Sequence, residues 1–98
     1  DKMNIEITSR HFTPSDELKD LVNEKLAKLD KFNVSLTRCH VILLKENAAE
    51  ESVEIVAHSK GHEFIAHDNS SVFEKSLANS VNKLSIQLKK QHDRIVGH

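Results

Sequence analysis

The chain has 98 residues, 38% of them hydrophobic and 30% charged, with a formal net charge of -1. That length fits one domain with one modest core, and the composition excludes a disordered, fibrous or multi-domain chain. No apolar run is long enough to span a bilayer and no charged-then-apolar leader opens the chain, so a cytoplasmic protein with no membrane partner is expected.

Asp1 and Lys2 precede Met3, and the natural chain is read as starting at that methionine. Residues 1–98 are taken as a single domain in which those two carry no weight. From Met3 to Thr8, apolar and polar residues alternate, which predicts a half-buried strand. In "FTPSDE" Thr13 suits an N-cap, Pro14 the first helical position, and Asp16 and Glu17 the positive end of the dipole. Leu18, Leu21, Val22, Leu26 and Leu29 then recur at helical spacing, predicting an amphipathic helix to about Phe32.

Leu36 to Lys45 is apolar and β-branched, a strand with one buried face, and "ENAAEES" reads as a polar loop. "VEIVAH" and "HEFIAHD" alternate as two further strands joined near Ser59-Lys60-Gly61, a hairpin. The last element is expected to begin at Ser71, where Ser71 and Glu74 make a capping-box pattern and Asn69 or Ser70 are alternative caps. Phe73, Leu77, Val81, Leu84, Leu88 and Ile95 then give one apolar stripe on a long helix.

The order is β-α-β-β-β-α, an α+β fold. Its economical packing is a four-stranded, mostly antiparallel sheet with both helices on one face. The expected core is Ile5, Ile7, Leu18, Val22, Leu29, Cys39, Val41, Leu43, Val53, Ile55, Phe64, Ala66, Phe73, Leu77, Leu84 and Leu88.

Charge is unevenly spread. Lys45 to Glu54 holds one lysine against Glu46, Glu50, Glu51 and Glu54, whereas Lys83 to Arg94 holds four cations against Asp93. Helical steps of seven and eleven residues place Lys83, Lys90 and Arg94 on one line. That line continues through Asn79, Ser80 and Ser76, with Gln87 between the lysines and no acid on it. Lys89 flanks it, and His92 lies nearby. Lys25, Lys28 and Lys31 cluster in the last turns of the first helix.

Two readings stand side by side. Lysines at helix C-termini complement the dipole and solvate a surface, and an acid-free polar face also suits a polyanion such as RNA. An extended single strand fits less well, because without Tyr or Trp no stacking platform is visible.

The element order, the early "SRHFTPSDELKDLVNEKLAKLDKF" and the late "VFEKSLANSVNKLSIQLKKQHDRI" resemble the ribosome hibernation promoting factors. This bacterial family is also called ribosome-associated inhibitor or sigma-modulation proteins. The likeness is densest at Phe73-Glu74, Val81, Lys83-Leu84, Gln87-Leu88, Lys89, Lys90 and Arg94. It implies a fold similar to double-stranded-RNA-binding domains and docking on the small ribosomal subunit, in the channel for messenger and transfer RNA. There the protein would inhibit translation and promote hibernation in stationary phase or stress. By the resemblance, Lys25, Lys28, Lys83, Lys89, Lys90 and Arg94 bind ribosomal RNA. Ile86 stands where members often carry a basic residue. A chain ending at His98 looks like the short form, which pairs ribosomes only with a separate modulation factor.

Other constellations are weaker. His40, His58 and His67 share a sheet face near Glu54 and Glu63, but no tight ligand motif forces a metal site, and no cofactor is expected. Ile42, Val56 and Ile65 on that face offer the alternative function, a protein-interaction or homodimerising module without RNA binding. Cys39 is the only cysteine, so no internal disulfide can form, in keeping with a reducing compartment. Strand alternation points it away from His40 into the core. No nucleophile elbow, phosphate loop or paired carboxylates appear, so neither enzyme activity nor a small-molecule substrate is expected.

Overall fold

A computed structural model describes residues 3–32 and 34–96, with backbone alone for Ile95 and Val96. The place of Ile95 in the apolar stripe thus lies outside the described side chains. The elements are β1 (Asn4–Arg10), α1 (Asp16–Ala27), β2 (Leu36–Asn47), β3 (Glu50–Ser59), β4 (His62–Ser70) and α2 (Phe73–Val96).

The sheet order is β1-β2-β3-β4. β1 runs parallel to β2, with Ile5 opposite Cys39 and Arg10 opposite Leu44. The other two pairings are antiparallel, Val41 facing Ile55 and Ile55 facing Ala66. Alternation along each strand sends Cys39, Val41, Leu43, Val53, Ile55, Ala57, Phe64 and Ala66 to one face. There they bury against Val22, Leu26 and Leu29 and against Phe73, Leu77, Leu84 and Leu88 of α2. Both helices lie on that face, as the apolar patterns require.

Ile5, Ile7 and Leu18 sit at the margin of the core and are half-buried rather than enclosed, because β1 is an edge strand. Leu26, Val34 and Ala57 complete the interior. Cys39 is enclosed, and burial, helped by the charge of Asp30, pushes its thiol up to about 11.

The element ends depart from expectation. α1 is capped by Ser15, not Thr13: the Ser15 backbone is extended and its hydroxyl accepts from the Leu18 amide at 3.1 Å. The α-helix stops at Ala27, and Lys28–Phe32 tighten into a 3-10 turn that carries Leu29 into the core. The expected polar loop after β2 is a tight turn through Ala48-Ala49, with Glu50 already in β3. The Asn47 side chain supports it, accepting from the Ala49 amide at 2.8 Å and donating to Glu50 at 2.8 Å.

α2 begins at Phe73 rather than Ser71, and its cap comes from another element. The Phe73 amide donates to the Glu51 carboxylate at 2.8 Å, so a β3 side chain serves the helix N-terminus. Ser71 is exposed. The Phe73 ring stacks on Phe12 with centroids 4.8 Å apart, joining the starts of the two helices.

Two serines tie α2 down further along. Ser76 donates to the Glu51 carbonyl at 2.6 Å and Ser80 to the Val53 carbonyl at 3.1 Å, and both are buried. Glu51→Ala is therefore expected to lower stability by about 1–2 kcal/mol in urea denaturation, the range for losing a helix cap. Glu51→Gln, which keeps an acceptor, should recover part of that loss.

Candidate nucleic-acid interface

The topology sets where the charges lie. β1 runs away from the β3–β4 turn, α1 returns toward it, and α2 leaves the far end of β4 and runs the same way. The two helices are parallel, and both C-terminal ends arrive beside the turn at Lys60-Gly61. Gly61 closes that turn with φ +83, a conformation that glycine adopts without strain. By strand and helix direction Lys60, Lys89, Lys90 and Arg94 lie toward one end of a molecule 48 Å long, together with Glu63 and Asp93, while Lys25, Lys28 and Lys31 stand against the middle of α2. Asp16, Glu17, Glu46, Glu50, Glu51 and Glu74 gather at the opposite end, by the helix N-termini. Near-neutrality thus combines a cation excess toward the helix C-termini, where Asp30, Glu63 and Asp93 also lie, with an acid excess toward the N-termini, where Arg10, Lys19, Lys45 and Lys75 also lie.

Around α2 the expected site residues divide between two flanks. Toward α1 lies an interhelical groove of about 210 Å³, lined by Lys25, Lys28 and Lys31 on one wall and Ala78, Val81, Asn82 and Ser85 on the other. No carboxylate lines it. Lys31 also stands over the Phe32 ring, 5.3 Å from its centroid. Lys89, one turn beyond Ser85, extends this flank. Among the described residues, no carboxylate pairs with Lys25, Lys28, Lys31 or Lys89.

The other flank faces β4. Lys90 and Arg94 border a second groove beside His62, while Lys83 is engaged. The Lys83 ammonium donates to the His67 carbonyl at 2.8 Å and pairs with Asp68 at 3.2 Å. Gln87, one turn on, donates to the Ile65 carbonyl at 2.7 Å. β4 is an edge strand, and these two side chains satisfy carbonyls that point away from β3.

The line extrapolated from Lys83 toward the helix start is also corrected: Ser76 and Ser80 are buried against β3, not presented to solvent. The inward curve of the apolar stripe takes that stretch below the surface. Between the flanks, Ile86 is 52% exposed.

The sheet face opposite the helices carries His40, His58 and His67. His40 lies 2.7 Å from the Thr8 hydroxyl, and His58 sits between Glu63 at 3.5 Å and Arg38 at 3.4 Å. Among the described residues no three metal-ligating side chains converge. Nor, among these residues, is any helix long and apolar enough to cross a membrane.

The architecture is an open α+β sheet backed by two parallel helices, with lysines along the groove between them. The chain belongs to the Sigma 54 modulation protein / S30EA ribosomal protein family, whose model matches residues 5–96. This is the ribosome-associated family of hibernation and modulation factors that the sequence resembles. Among solved structures, the fold is similar to the N-terminal domain of Protein Y from Thermus thermophilus (TM-score 0.82, 24% identity), covering 91% of this chain and 99% of that one. It is also similar to a ribosomal subunit interface protein from Coxiella burnetii (TM-score 0.74, 21% identity), covering 98% and 100%. No match was found among curated proteins.

Asp68 gives the β4 flank a pH signature. Hydrogen bonding from the Asn79 amide, at 2.9 Å, and then the bond and charge of Lys83 hold its carboxyl below the ordinary 3.8. A depressed folded-state value stabilises the fold above the unfolded pKa, and that contribution drains away as pH falls through the folded value. Asp68→Asn should thus flatten the acid-side fall in the urea midpoint between about pH 5 and pH 2. An unchanged acid limb would show that Asp68 contributes nothing to the clasp.

Proposed function

We propose that this chain binds the small ribosomal subunit at the messenger and transfer RNA channel and inhibits translation, holding ribosomes in hibernation in the cytoplasm during stress or stationary phase. The observation that carries the reading is the carboxylate-free groove between the helices. Three lysines from α1 and its 3-10 extension form one wall, and Lys89, Lys90 and Arg94 continue past it. Such a rim neutralises successive phosphates without selecting a base, which suits structured ribosomal RNA. Membership of a ribosome-associated family supports the same partner. The likeness to a protein described as a ribosomal subunit interface protein agrees with it.

In this reading the six sequence-expected contacts carry unequal weight. Lys25, Lys28, Lys89, Lys90 and Arg94 offer free ammonium or guanidinium groups, and Lys31 joins them from the groove wall. Lys83 must first leave the Asp68 carboxylate and the His67 carbonyl, so its net contribution to RNA affinity is the smallest of the set.

Co-sedimentation with small subunits across a salt series tests the proposal. Log affinity is expected to fall linearly with log salt, at a slope of about 0.7–0.9 for each phosphate neutralised. Lys25→Glu, Lys28→Glu and Lys31→Glu together should abolish sedimentation. Lys83→Ala should weaken it least among single substitutions. Val56→Lys, on the opposite sheet face, should leave it unchanged. Loss of binding in that variant, with retention in the triple reversal, would assign the interface to the open sheet and overturn the reading.

A further inference from the structure

The second groove, on the β4 flank, differs in kind from the interhelical one. It has a volume of about 280 Å³ and lies between the last turns of α2 and the start of β4, lined by His62, Phe64, Gln87, Lys90, Gln91 and Arg94. The remaining residue on its border is Glu63, whose carboxylate turns to the far sheet face and pairs with His58 at 3.5 Å. Strand alternation puts His62 and Phe64 on the helix side of β4. Their rings lie nearly parallel, with centroids 6.1 Å apart and planes inclined by 29°. Phe64 is buried, so it fixes one face of the imidazole, while His62 itself is exposed. An exposed flat ring, backed on one side by Phe64, thus shares a groove with two cations spaced one helical turn apart.

We propose that this groove seats one unpaired nucleotide of an RNA strand, its base stacked on His62 and its flanking phosphates on Lys90 and Arg94. The proposal rests on the RNA-binding reading above and adds a base contact to what is otherwise backbone recognition. Two features favour a nucleotide over a bare phosphate. The cations stand beside an aromatic plane rather than around a point, and the Gln91 amide supplies both a donor and an acceptor beside that plane. The absence of Tyr and Trp hides this platform in the sequence. His62 becomes one only because Phe64, two residues along the same face, backs it.

The test uses the whole chain, a short oligoadenylate and an abasic ribose-phosphate oligomer of the same length, titrated over a salt series. Oligoadenylate is expected to bind about tenfold more tightly than the abasic oligomer, the scale of one stacked base. His62→Ala should erase that preference without changing the salt slope, and His62→Phe should keep it. Lys90→Ala should instead reduce the slope by about 0.7 while leaving the preference intact. Equal affinity for the two oligomers, no binding of either, or a preference that survives His62→Ala would overturn the proposal. The ribosome reading fails separately: a chain that prefers oligoadenylate yet does not sediment with small subunits keeps this site and loses that function.

Discussion

The parallel pairing of β1 with β2 is the constraint from which the functional surface follows. Two parallel neighbours need a crossover, so α1 must run opposite to both strands and end where β2 begins. The two antiparallel hairpins that follow bring the chain back to the far end of the sheet, and α2 can then run only alongside α1. Had β1 paired antiparallel to β2, α1 would not have been forced to end beside the β3–β4 turn. The lysines of α1 and α2 would then not share a rim. Charge pooling is here a consequence of strand direction, not of composition.

That arrangement makes α2 serve two duties along one length. Its first half is bound into the fold: Glu51 caps it, Ser76 and Ser80 hold β3 carbonyls, and Lys83 and Gln87 cover the outer carbonyls of β4. Among the described α2 cations, Lys83 is the one held by internal partners, and beyond Leu88 the cations have none. Covering an edge strand with helix side chains also discourages strand addition by another chain, a liability that four-stranded open sheets carry at both edges. Lys83 illustrates the competition. Its ammonium has one charge to share, and in the structure β4 and Asp68 hold it. A lysine placed by helical angle alone cannot be told from one already spent, because its partner sits fifteen residues away on a strand.

The same reason separates what was legible in the sequence from what was not. Period-two and period-3.6 patterns fixed the six elements and nearly all of the core, since burial on one face leaves a local trace in residues such as Ile55, Phe64, Leu77 and Leu84. Caps were less legible. Ser71 with Glu74 has the right spacing, yet the carboxylate that reaches the Phe73 amide comes from Glu51, across the sheet. Ser76 and Ser80 look like solvent residues by type, and their burial depends on β3 carbonyls that no helical wheel contains. Of the basic residues, those at the helix ends were found by spacing. Their division into a groove facing α1 and a flank facing β4 needed the packing angle of two elements.

A formal charge near zero is no obstacle to binding a polyanion when the charge is polarised along 48 Å. A Debye length at moderate salt is about 10 Å, so a phosphate near the end of α2 would respond to Lys89, Lys90, Asp93 and Arg94 and hardly to the glutamates at the other end. On the proposed function, the glutamates near the β2–β3 turn would act on encounter instead, disfavouring approaches that lead with that turn. A uniformly basic domain of the same size would adhere to exposed RNA in many poses, whereas a polarised one offers a single rim. Glu51 thereby has a place both in that charge pattern and in the cap of α2.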